Sequence, residues 1–227
     1  MYKQWHFFYN PFLQEAKRNF RKFHSIAYSH CEQLRKEKDN SGVKPIYDAT
    51  IPMYEEYLRQ YAELEMKMSE YAHTSTEIRL QFERLRKELV PEWEYRIFLK
   101  YRSGSSEYNC LFKNGRTSFN TGKHFDRLQR VKLLQDTLTE FPQLADLKAS
   151  VEVEFNTLFN TYETQSINRF NVRNAKVNLQ KLAEKLAIQI YSNLGYLIHI
   201  SPEKPDLYRY LFEVEQIKRS TIKTLMK

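Results

Sequence analysis

From Leu13 onward the apolar or small residues fall at positions 13, 16, 20, 23, 27, 30 and 34. This alternation of threes and fours marks one face of a helix packed against partners. Asn10 is placed to cap that helix and Pro11 to occupy its first turn. The polar run Asp39-Asn40-Ser41-Gly42 must end it, so the pattern predicts a first helix over about 12–38. After Pro45 and Pro52 a second stripe runs through Tyr57, Tyr61, Leu64, Met68 and Tyr71, then Ser75, Ile78, Phe82, Leu85, Leu89 and Trp93. Thr74 and Glu77 have capping-box spacing and offer a break. The stripe keeps its phase across Ser75, however, and predicts one continuous helix to about residue 100.

Residues 103–122 change character and hold three of the five glycines, Gly104, Gly115 and Gly122. Asn114-Gly115 readily takes the positive φ angles of a two-residue turn, so its flanks read as a short β-hairpin near 108–120. Such a hairpin needs a surface to lean on, which Leu111, Phe112 or Phe119 would supply by packing on the helix ends. Helical spacing returns at Leu128, Val131, Leu134 and Leu138 (about 124–140). It then runs from Pro142 through Leu144, Leu147, Val151, Phe155 and Leu158 to Leu197. The Asn/Thr-rich middle, 156–174, is the weakest helical stretch, because these side chains compete for backbone hydrogen bonds, and the pattern leaves open whether the helix is continuous or kinked there. A short C-terminal helix follows over about 206–218, with Leu207, Leu211 and Val214 on one side.

A shorter helix, a very long one, a loop, and again a shorter and a very long one make two αα-hairpins. The expectation is an all-α fold: an elongated antiparallel bundle of about four main helices, forming one domain over 1–227 with an insertion at about 103–122. Gly and Pro are scarce, five and seven in 227 residues, which disfavours turn-rich β folds. Hydrophobic content of 41% is too high for a disordered chain, and no run of 18 apolar residues exists to span a bilayer.

The stretch Phe112-Lys113-Asn114-Gly115-Arg116-Thr117-Ser118-Phe119-Asn120-Thr121-Gly122, followed by Asp126-Arg127, is one of two segments that carry a resemblance. The other is Asn193-Leu194-Gly195 with Tyr210-Leu211-Phe212-Glu213-Val214-Glu215. Together they are similar to an uncharacterised all-helical family of Bacteroidetes bacteria. That resemblance covers the central loop and the C-terminal half. It implies a helical architecture, and because the family has no established activity it assigns no functional residue.

Net charge is +8, and it alternates in blocks. Residues 1–45 carry nine Lys+Arg against four Asp+Glu, 46–100 eight against eleven, 101–135 seven against two, 136–165 one against six, and 166–227 eleven against five. Opposite fields on neighbouring helices help fix register, so internal pairing is expected ahead of a polyanion surface. The basic stripes Lys17/Arg21 with Arg18/Lys22, Lys123/Arg127/Arg130 and Arg169/Arg173/Lys176 border apolar faces. There they would lie over the core edge and pair with Glu55, Glu63, Glu70, Glu77 and Glu83.

No catalytic, cofactor or metal set emerges. Gly115 and Gly122-Lys123 lack the spacing, the hydroxyl residue and the preceding strand of a phosphate-binding loop. Glu70 and His73 have the i, i+3 spacing of di-iron bundles, yet no second such pair exists. Cys31 and Cys110 have no partner at ligand spacing, and a reduced compartment fits. The N-terminus has no secretory h-region, which leaves the cytoplasm as the default. Two weaker features remain. Arg116, Lys123 and Arg127, around a loop and a helix start, are candidate small-anion contacts, with Arg116 turned toward Asp126 or a helix end. Trp5, Phe7, Phe8 and Tyr9 form the densest aromatic cluster, either an arm folded onto the bundle or an interface. The reading is a non-enzymatic cytoplasmic protein acting through a protein partner or self-association, with nucleic-acid binding on the basic faces as the alternative.

Overall fold

A computed structural model describes residues 10–112, 115–203 and 210–212. The order of elements is α1 (Pro11–Arg18), α2 (Phe20–Lys36), α3 (Lys44–Arg84), one π turn (Leu85–Leu89), α4 (Val90–Phe98), α5 (Ser106–Leu111), α6 (Thr117–Asn120), α7 (His124–Thr137) and α8 (Ala145–Ile200). Two 3-10 turns, Leu138–Glu140 and Pro142–Leu144, join α7 to α8. The fold is all-α, and no strand occurs among the described residues.

The first predicted helix is two. Asn10 caps α1 by accepting from the Leu13 N–H, with Pro11 at its first position. At Asn19 the backbone turns extended (φ −150°, ψ 92°), and the Asn19 side chain caps α2 through the Lys22 N–H. The predicted stripe still faces inward across this joint, with Ala16, Phe23, Ala27, His30 and Leu34 all buried. The second stripe is continuous across Thr74, as its phase predicts. Thr74 does not cap a new helix, because its hydroxyl donates back to the Glu70 and Tyr71 carbonyls. Pro52 is accommodated inside α3.

Beyond Arg84 the helix changes pitch for one π turn. Pro91 gives the reason: it has no N–H for the carbonyl one turn back, and its ring would press on that carbonyl. The extra residue per turn relieves this. It also keeps Leu85, Leu89, Trp93 and Ile97, spaced by successive fours, on one buried face; an unbroken α-helix would carry that row about 40° around the axis at each step.

α8 runs unbroken through 156–174, the stretch whose composition left its continuity open. The Thr157, Thr161 and Thr164 hydroxyls donate to the carbonyls four residues earlier at 2.8–3.1 Å, within the helix rather than against it. Gln165 and Asn168 spend their amides on α3, at Ser75 and Thr74.

The β-hairpin is corrected. Its flanks are helical, in α5 and α6, and Asn114 at its turn lies outside the described residues. An isolated pair of strands has no sheet to lean on, whereas a helical turn satisfies its backbone locally. Ser105 caps α5 by accepting from the Tyr108 N–H at 3.1 Å, and Glu107 lies in its first turn. Leu111, Phe112 and Phe119 are buried, as their apolar character demands. Of the short C-terminal helix, Tyr210–Phe212 is described and helical; Leu207 and Val214 lie outside the described residues.

Contacts group the chain into two compact units, 1–66 with 173–227, and 67–172. The division follows side-chain burial: on α3 no residue is buried between Leu64 and Thr74, and on α8 none between Thr161 and Val172. In the unit of 67–172, α3 and α8 pair antiparallel, joined by Gln81–Thr161, Ser75–Gln165 and Arg84–Glu154. Their core holds Ile78, Phe82, Trp93, Leu128, Leu134, Val151 and Leu158. In the other unit Phe23, Tyr54, Tyr57, Leu179, Leu186 and Ile190 are fully buried.

Candidate functional site

The segment between α4 and α7 gathers polar side chains around Glu94 and Arg127. Glu94 projects from α4 one residue after the buried Trp93, and its carboxylate is held from two sides. The Tyr108 hydroxyl, from α5, donates to Oε1 at 2.8 Å, and Arg116 donates through Nε to Oε2. Burial and the neighbouring Glu94 carboxylate raise the Tyr108 hydroxyl pKa. Arg116 therefore points to Glu94 rather than to Asp126, a correction of the expected pairing. Asp126 is already used as the cap of α7, accepting the Lys123 N–H at 3.1 Å.

Arg127 is a tie within the fold. Its Nε donates to the Phe119 carbonyl at 2.7 Å and its Nη2 to the Phe82 carbonyl at 2.9 Å. Its guanidinium carbon lies 4.4 Å from the Phe82 ring centroid, and the His124 ring stacks on the same ring at 4.5 Å. These bonds join α6 and α3 to α7. Burial, then the charge of Arg86, lowers the Arg127 pKa. Lys123 is exposed, and its side chain has no partner among the described residues. The three candidate anion contacts thus have separate employments: Arg116 on a carboxylate, Arg127 on two carbonyls, Lys123 in solvent. Trp5, Phe7, Phe8 and Tyr9 lie outside the described residues.

Two side chains that sequence reasoning passed over, Tyr95 and Phe98, are exposed on α4. They line an open cleft of about 320 Å³ with Glu94, Ser103, Tyr108 and Arg116. Its sequence signal was the pair of aromatics two and five residues after Trp93, off the buried face.

The unit of 1–66 and 173–227 encloses a buried polar chain. His30 Nδ1 lies 2.9 Å from the Leu211 carbonyl, which can only accept. Nδ1 therefore carries the proton, and Nε2 accepts from the Asn193 amide at 3.0 Å. Asn193 also donates to Thr50 at 2.8 Å and accepts from Gln189. The Phe212 ring stacks on the imidazole at 4.5 Å. Burial pushes the His30 pKa down to about 4. Nearby Cys31 is buried and its thiol is pushed up to about 12, an inert packing group.

Among the described residues, no group of three His, Cys, Asp or Glu side chains is gathered to hold a metal ion, and no helix is long and apolar enough to cross a membrane. Glu70 pairs with Lys67. Comparison with protein-family models, curated proteins and solved structures finds no match.

Proposed function

We propose that this chain is a non-enzymatic helical protein that acts through protein–protein contacts. The observation that supports this reading is the outward side of α8 in the unit of 67–172. Opposite the buried Leu158, Thr161 and Val172, the helix exposes Val153 (64%), Ile167 (59%) and Phe170 (61%). Between them stand Asn156, Asn160 and Thr164, with Glu163 the acidic residue among them. On α7, Phe125 and Leu133 are half exposed as well, and the Phe125 ring lies against Tyr162 of α8. Apolar groups gathered on one surface mark interaction sites, since their removal from water drives association. The test compares the wild-type chain with an Ile167→Glu/Phe170→Glu variant by light scattering over a concentration series and by affinity capture. Self-association or partner binding that the variant loses supports the reading. A wild-type chain that stays monomeric and captures nothing beyond what the variant captures overturns it.

Polyanion binding is the second reading, favoured by a departure from the expected charge pairing. Glu55 takes Arg35, Glu70 takes Lys67 and Glu83 takes Lys87, but these are not the residues of the basic stripes. Lys22 pairs with Glu15 and Arg127 with carbonyls. Lys17, Arg18, Arg21, Lys123, Arg130, Arg169, Arg173 and Lys176 make no ion pair among the described residues. Nucleic-acid affinity that falls steeply as salt rises would support this reading, and negligible affinity at low salt would refute it.

A further inference from the structure

We infer that the cleft between α4 and α5 is a binding site for a planar aromatic ring carrying an anionic substituent, a phosphate or carboxylate. Its walls are matched to the two halves of such a ligand. Tyr95 (60% exposed) and Phe98 (50% exposed) present aromatic surface to the open cleft. An aromatic ring stacks on such surfaces with little dependence on its identity. The anionic half has Arg116. Its guanidinium is fixed through Nε to Glu94, which leaves both terminal nitrogens without a partner among the described residues. A guanidinium so oriented offers a planar, two-donor edge that fits a carboxylate or phosphate, and ordering it in advance lowers the entropy lost on binding.

Glu94 does not spoil the site for an anion. Both of its oxygens are already occupied, one by Arg116 and one by the Tyr108 hydroxyl. Ser103 lines the same cleft with a hydroxyl that makes no hydrogen bond among the described residues, where Lys100 and Arg102, just before it in the chain, form no ion pair. Of the two blocks that line the cleft, 101–135 carries seven basic residues against two acidic and 46–100 eight against eleven, so the positive charge comes from the side of Ser103 and Arg116. Size sets a limit as well: about 320 Å³ is at the small end of ligand pockets, enough for one ring system and its anionic group.

Titration of the full chain by calorimetry and by amide NMR uses five probes: adenosine 5′-monophosphate, phenyl phosphate, benzoate, adenosine and inorganic phosphate. Saturable binding of phenyl phosphate or benzoate, with amide shifts centred on residues 94–116, is expected. Adenosine and inorganic phosphate, each bearing one half of the chemistry, should bind at least tenfold more weakly than adenosine 5′-monophosphate. Preference between phenyl phosphate and benzoate identifies the anionic group. Phe98→Ala and Ser103→Ala leave the Glu94–Arg116 pair in place and should weaken binding, about tenfold for Phe98→Ala, as should Arg116→Lys, which keeps the charge and loses the planar edge. Inorganic phosphate binding as tightly as phenyl phosphate, affinity unaltered by Phe98→Ala, or shifts located elsewhere would each overturn the inference. It stands apart from the α8 surface, so Ile167→Glu/Phe170→Glu should leave this binding unchanged.

Discussion

Acidification should destabilise this protein through His30 well before the imidazole titrates in the folded state. Neutral His30 is fully used: Nδ1–H donates to the Leu211 carbonyl, and Nε2 accepts from Asn193. Protonating Nε2 would set one donor against another, inside a core where His30 is only 1% exposed. The folded pKa is accordingly about 4, against the ordinary 6.5 of an imidazole in the unfolded chain. Because the folded value is depressed, the unfolded state binds the proton first. The contribution is fully present above pH 6.5 and is lost as pH falls toward 4. At 1.36 kcal/mol per pH unit, the loss reaches about 2 kcal/mol at pH 5 and about 3 kcal/mol at pH 4. His24 and His124, both lowered by burial, add to it with the same sign. Urea unfolding at pH 7, 6 and 5 on the wild type and on His30→Gln isolates the His30 share, because the other groups titrate equally in both. The pH dependence of wild type should exceed that of the variant by about 2 kcal/mol between pH 7 and 5. NMR of the His30 ring gives a reading that survives poor folding of the variant: its resonances should hold steady down to pH 5, with the proton on Nδ1. A folded His30 that titrates near 6.5, or a proton on Nε2, would refute the reasoning.

Arg127→Ala removes a charged donor from two carbonyls and a cation from the Phe82 face, and should cost about 2 kcal/mol in denaturant unfolding, with Arg127→Lys recovering only part. Arg116→Ala releases Glu94 from one side; since Arg116 is half exposed, the loss should be nearer 1 kcal/mol, and hydrogen exchange should quicken in α5. Lys123→Ala touches no partner and should leave stability within about 0.5 kcal/mol of wild type.

How much of this was legible in the sequence depended on whether the deciding interaction was local. The α1–α2 stripe, the Asn10 cap with Pro11, and the phase of α3 across Ser75 could be read directly, because helical spacing and capping involve residues within one turn of each other. The π turn was not read from the sequence, because the spacing of Leu85, Leu89 and Trp93 reads as plain α-helix. At 103–122 the local signal was misleading. Asn114-Gly115 favours a tight turn, and nothing nearby reports that Leu111, Phe112 and Phe119 have helices rather than a sheet to pack against.

By itself, then, the sequence determined the all-α class and the inward face of most of each helix, since periodicity acts along the chain; Met68 and Tyr71 of the second stripe are the exceptions and are not buried. Only the tertiary structure decided that Arg116 meets Glu94, 22 residues away, that Arg127 ties Phe82 to Phe119, and that His30 reaches Asn193 and Leu211 across 163 and 181 residues. It also decided which cations lack a carboxylate and which aromatics on α4 and α8 face outward. A side chain's partner across such separations is set by how packed helices are rotated and offset against each other. Those rotations come from the summed burial of many residues, and no single spacing in the chain records them.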